Sequence, residues 1–146
     1  MKLIVCILVL VFLSLTCHNS CLSQESIDYK KAEYLYVAQC SKCHRKDGSG
    51  IKKVYPPLKQ ADYIGKNDNI ELFRGMLYGR SGKIIVNGVT YNGVMTTEID
   101  KSLTDNDIIL ILTHVLHKLN GINRIPTLKE LKEARKAGIL PVHKLK

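Results

Sequence analysis

Residues 40–44 read Cys40-Ser41-Lys42-Cys43-His44, and this run decides how the rest of the chain is read. Cys-x-x-Cys-His is the attachment signature of a covalently held c-type haem. The reason is geometric. On a helix, residues three and four apart share a face, so Cys40, Cys43 and His44 all project the same way. Two thiols so placed add to the two vinyl groups along one porphyrin edge. The adjacent imidazole reaches under the ring and takes an axial position on the iron. Other readings of the motif are poorer. A zinc ribbon needs a second ligand pair, and the remaining cysteines, Cys6, Cys17 and Cys21, sit in or beside an apolar leader. A thioredoxin-like pair wants strand–helix–strand surroundings, which this stretch lacks. A Cys40–Cys43 disulfide closes a small strained ring and gives His44 no role.

The start of the chain reads as an export signal. Lys2 supplies a positive n-region, and Leu3 to Leu15 is apolar except for Ser14. That run is short for a bilayer span and suits a secretory h-region. The expected signal peptide is residues 1–23, with cleavage after Cys21-Leu22-Ser23 and before Gln24. The alternative is lipidation at Cys17, which would give a membrane tether through an N-terminal lipid. Cleavage removes Cys6, Cys17 and Cys21 and leaves Cys40 and Cys43 for haem, a cysteine usage that suits an oxidising compartment. The expected location is therefore the periplasm, or a membrane-anchored position facing it. The formal net charge is +9, which reads either as a basic surface that keeps the chain soluble or as electrostatic steering towards acidic redox partners. An export signal and scattered charges argue against nucleic acid.

Outward from the motif, Ser26 to Cys43 predicts a first helix with Ala32, Leu35, Tyr36 and Gln39 on one face. Arg45 to Gly50 is a polar turn cluster. Tyr55-Pro56-Pro57-Leu58 cannot be helix interior, and one of its free carbonyls can accept the Nδ1 proton of His44. Asn67 or Asp68 caps a helix to about Tyr78, lined by Ile70, Phe73 and Leu77 with Met76 beside them. Lys83 to Tyr91 reads as a hairpin turning at Asn87-Gly88, and Asn92 to Met95 as a loop. Thr104 and Asp107 start a helix over Ile108 to Leu119, the most apolar of the chain, and Asn120-Gly121 ends it. Thr127 to Glu130 opens a short helix, expected at the surface because of its basic face. Met95, Met76, His114, His117 and an open site all remain candidates opposite His44.

The order of helix, Cys-x-x-Cys-His, Pro-Pro-Leu, helix, methionine loop and final helix resembles a class I c-type cytochrome. It is most similar to exported bacterial mono-haem cytochromes c, over Ser26 to Gly121. The string Val86-Asn87-Gly88-Val89-Thr90-Tyr91-Asn92-Gly93-Val94-Met95 is part of that likeness. The resemblance implies an all-α cytochrome c fold with one short β-hairpin before the distal Met loop. The cytochrome domain would span 24–123, with a tail over 124–146. One haem c would be held by thioethers to Cys40 and Cys43, its iron ligated by His44 and Met95. The Pro57 carbonyl would support His44. The first and last helices of that domain would cross near Ala32 and Tyr36. Ala32 stands where glycine is usual, Thr96 where proline follows the methionine, and His114 where an aromatic is common. The implied role is single-electron carriage, not enzymatic catalysis, between exported or membrane-bound respiratory partners. A terminal oxidase, a reductase or a quinol-oxidising complex would fit. The alternatives are a haem enzyme or gas-binding protein with open iron, or a haem subunit of a larger complex.

Overall fold

The computed structural model describes residues 27–97 and 99–141. The expected leader, its cleavage site and the Cys17 lipidation site lie outside the described residues. Helix α1 spans Tyr29–His44. Asp28 caps it, its carboxylate accepting from the Lys31 amide at 2.9 Å, which satisfies one of the amides left bare at a helix start. Ala32, Leu35 and Tyr36 are buried along one face. A short helix, α2, covers Asp62–Lys66 within a stretch that carries no helical periodicity in sequence. Helix α3 covers Asn69–Tyr78 with Asp68 as its cap. Its buried side centres on Leu72 and Phe73.

Strands β1 (Arg80–Val86) and β2 (Val89–Met95) form an antiparallel ladder closed at Asn87-Gly88. Both turn residues have positive φ, 51° and 75°, as a type I′ turn requires. The ladder is longer than the sequence suggests. It starts at Arg80 and pairs that residue with Met95, so Met95 ends a strand and does not sit in a free loop. The residues around Gly82 and Gly93 read as loop because they lack apolar alternation. They pair nonetheless, because both strands have exposed faces to which a period-2 pattern need not apply.

Helix α4 (Asp105–His114) carries a complete Thr104–Asp107 capping box and runs into a π-helical turn over Val115–Leu119. Helix α1 packs on α4. At that crossing Ala32 is fully buried and Tyr36 stacks on His114, ring centroids 4.8 Å apart. Helix α5 (Leu128–Ala137) has its own Thr127–Glu130 capping box. Its Lys129, Lys132 and Lys136 face solvent as expected. Its other side, Leu131 and Ala134, is completely buried in the core shared with Phe73, Leu112 and Leu116. Burying a leucine stabilises by about 1.5–3 kcal/mol, so α5 is an integral helix against α3 and not a surface appendage. No helix among the described residues is long and apolar enough to cross a membrane.

Candidate haem site

Cys40, Cys43 and His44 end α1, and all three line one cavity of about 500 Å³, within the usual size of cofactor pockets. The helical spacing brings them together as the sequence implies. The two thiols are half-buried and unbridged. Burial, then the neighbouring Cys43, pushes the Cys40 thiol up to about 12, which is the opposite of a low-pKa redox thiol. Among the described residues no group of three or more His, Cys, Asp or Glu side chains could hold a metal ion. A zinc ribbon therefore lacks its second half within that region.

His44 is buried, and its Nδ1 donates to the Pro56 carbonyl at 2.9 Å. The supporting carbonyl is therefore that of Pro56, one residue before the expected Pro57. Its position follows from the loop's own ties. The Gly48 carbonyl accepts from the amides of Leu58 and Lys59 at 2.8 and 3.0 Å, and the Gly50 amide donates to the His44 carbonyl at 3.0 Å. Gly50 has φ +62°, and a Cβ there would sit 2.6 Å from the Pro56 oxygen. Only glycine lets the chain pass that close. With Nδ1 committed, the lone pair of His44 is on Nε2, the nitrogen left for a metal. Burial lowers the His44 pKa, partly opposed by the Pro56 bond, and this keeps the ring in the neutral form that ligates.

Met95 lines the same cavity and is 41% exposed at the open end of the hairpin. Its backbone is pressed against Gly79, where a Cβ would lie 2.1 Å from the Met95 oxygen. Met76 also lines the cavity, so it is not confined to packing. His114 is stacked on Tyr36 at the helix crossing. His117 is held between the Tyr29 hydroxyl at 2.9 Å and the Arg124 carbonyl at 3.2 Å. Neither histidine lines the cavity.

The cavity walls are mostly apolar, with Leu72, Ile84, Val86, Ile111 and Leu112 among them. Charged side chains, Lys42, Glu71 and Arg80, interrupt this pattern. The Arg80 side chain is only 9% exposed and lies over the Tyr63 ring at 4.8 Å. Its Nη2 donates to Glu71 Oε1 at 2.8 Å, but its buried Nε has no partner. A buried guanidinium with an idle donor at an apolar cavity fits a ligand that is mostly hydrocarbon and carries a carboxylate. Haem, with its propionates, has that character. The residues present therefore fit the group: Cys40 and Cys43 would bond it, His44 would ligate its iron, and Arg80 would receive a propionate. Sequence reasoning missed Arg80 and Tyr63. No local pattern marks them, because they meet only once α2 and β1 are in place.

Comparison with known proteins agrees with this chemistry. The model of the family described as Cytochrome c matches residues 29–119. The chain belongs to the cytochrome c family. Its cofactor is covalently attached haem c with its iron. Over 81 residues, 53% of this chain, it is 40% identical to cytochrome c-552 of Thermus thermophilus, covering 60% of that protein. A second cytochrome c-552, from a specified strain of the same organism, is also 40% identical over 81 residues, which are 53% of its length. The matched stretch thus spans little more than half of these relatives. The mostly α-helical architecture with one small antiparallel hairpin accords with the family's fold.

Proposed function

We propose that this protein is an exported mono-haem electron carrier in which His44 and Met95 ligate the iron. The carrying observation is that a buried imidazole with its Nδ1 engaged and a thioether from another element line one apolar cavity beside two unbridged thiols. A His/Met pair favours ferrous iron and raises the reduction potential, and a six-coordinate iron leaves no place for a substrate. The chain's own part is to hold both ligands, neutralise a propionate and keep water from the ring. Around the motif, Arg45, Lys46, Lys52 and Lys53 are exposed. Val54 and Val94 give the cavity an exposed apolar margin. A basic surround with an apolar rim suits brief docking of an acidic redox protein. A terminal oxidase, a reductase or a quinol-oxidising complex with an acidic docking surface would suit that role.

The test is the ferrous protein mixed with carbon monoxide, with Met95→Ala alongside. The unsubstituted protein should bind the gas slowly. Met95→Ala should bind it fast and show a lower potential. Fast binding by the unsubstituted protein would instead support a gas-binding or enzymatic role. An unchanged spectrum in Met95→Ala would move the ligand to Met76, the other thioether in the cavity.

A further inference from the structure

The family match ends at residue 119, yet one residue that lines the haem cavity lies beyond it. Leu140 lines the cavity beside Gly75 and Met76 of α3. It is 7% exposed, whereas Ile139 beside it is 74% exposed. A single buried side chain on an otherwise exposed segment needs an anchor, and Arg74 provides one. Its Nε donates to the Gly138 carbonyl at 2.8 Å and its Nη2 to the Ile139 carbonyl at 2.6 Å. The Tyr78 hydroxyl adds a bond to the Arg135 carbonyl at 3.1 Å. Gly75 is the neighbour of the leucine on α3: a Cβ there would make an ordinary van der Waals contact, 3.9 Å from Leu140 Cδ1.

The C-terminal end of α3 also bears on Met95. The Thr97 hydroxyl donates to the Met76 carbonyl at 3.0 Å, and Gly79 abuts the Met95 carbonyl. Helix α3 therefore touches both the strap of residues 138–141 and the strand end that carries Met95. Packed interiors transmit displacement because they are dense and poorly compressible.

We propose that Leu140, clamped by Arg74, is a positioning residue of the haem site: it braces α3 and so holds Met95 on the iron. This rests on the reading of Met95 as the distal ligand. If Leu140 were only core filler, its truncation would lower the unfolding temperature and leave the iron closed. As a positioning residue, it controls how often the thioether leaves.

The experiment uses full-length holoprotein carrying Leu140→Ala or Arg74→Gln, with Leu140→Met as rescue and Ile139→Ala as control. The readouts are the carbon monoxide binding rate of the ferrous form, the midpoint potential and the near-infrared methionine–iron band of the ferric form. Leu140→Ala and Arg74→Gln should each speed binding at least about tenfold, equivalent to about 1.4 kcal/mol of lost bracing. Both should also lower the potential and weaken the band. Leu140→Met should restore all three, and Ile139→Ala should change none. Slow binding and an unshifted potential in both Leu140→Ala and Arg74→Gln would overturn the strap alone, whatever happens to the unfolding temperature. Fast binding by the unsubstituted protein would overturn the electron-carrier reading and the strap together.

Discussion

Replacing Gly79 with alanine should disturb the iron site more than any ordinary helix-end substitution. Gly79 ends α3 at φ 76°, ψ −172°, a region reserved almost wholly for glycine. Forcing another residue to stay there costs about 1–3 kcal/mol. The added Cβ would also meet the Met95 carbonyl oxygen at 2.1 Å and the Met95 carbonyl carbon at 3.2 Å. A backbone oxygen has no rotamer with which to escape, so the strand end must retreat by roughly an ångström, and overpacking of that kind costs about 1–3 kcal/mol more. The sum, about 2–6 kcal/mol, is a large part of a typical stability of about 5–15 kcal/mol. Gly88→Ala is the natural control. It also has positive φ, +75°, but nothing lies within 4 Å of its would-be Cβ, so only a backbone cost of about 1–2 kcal/mol applies. Urea unfolding measures the two losses, and the near-infrared methionine–iron band with carbon monoxide binding reports the ligand. Equal losses in the two variants, with the band intact in Gly79→Ala, would refute the reasoning.

Three further outcomes are expected. Cys43→Ala should give little stable holoprotein in cells competent for cytochrome maturation; normal haem content by mass would contradict the two-thioether scheme. In Asp107 the hydrogen bond from Lys31, and then that from Thr104, hold the carboxyl at about 2 against an ordinary 3.8. A carboxyl depressed on folding stabilises fully above its unfolded pKa, and this is lost as pH falls through the folded one. Because Lys31 is half exposed, solvent screening leaves at most about 1 kcal/mol at neutral pH. Asp107→Asn should lose that amount, with the gap to the unsubstituted protein closing towards pH 2. A gap independent of pH in urea titrations would contradict the ion-pair account. Asn120 joins three backbone groups, donating to the Leu58 and Val115 carbonyls at 2.7 and 2.8 Å and accepting from the Ala61 amide at 2.9 Å. Asn120→Ala should cost about 2–3 kcal/mol by leaving them unmet, and a loss below about 1 kcal/mol would show that water replaces the side chain.

Readings that depend on neighbours in sequence were the legible ones. Cys40, Cys43 and His44 converge because helical spacing alone puts them on one face. The Thr104–Asp107 and Thr127–Glu130 capping boxes and the Asn87-Gly88 turn are likewise local chemistry. What was hidden depends on partners far along the chain. Pro56 and not Pro57 supports His44 because of how Gly48 and Gly50 fold the loop back. Met95 is a strand end because Arg80 pairs with it, which no alternation announced. The tail helix looks like a surface helix because its apolar stripe, Leu131 and Ala134, is narrow. Its burial is supplied by α3, from far earlier in the chain. Arg80 and Leu140 carry no motif at all; each acquires a role only from the cavity that other elements build.

The π-helical turn over Val115–Leu119 has a historical consequence. Such a turn takes up one more residue than an α-helical one without lengthening the rod. It is the footprint expected of a single-codon insertion that the fold absorbed instead of rejecting. Homologues with an unbroken helix here should be one residue shorter between Thr113 and Asn120, and their gap should fall at this point.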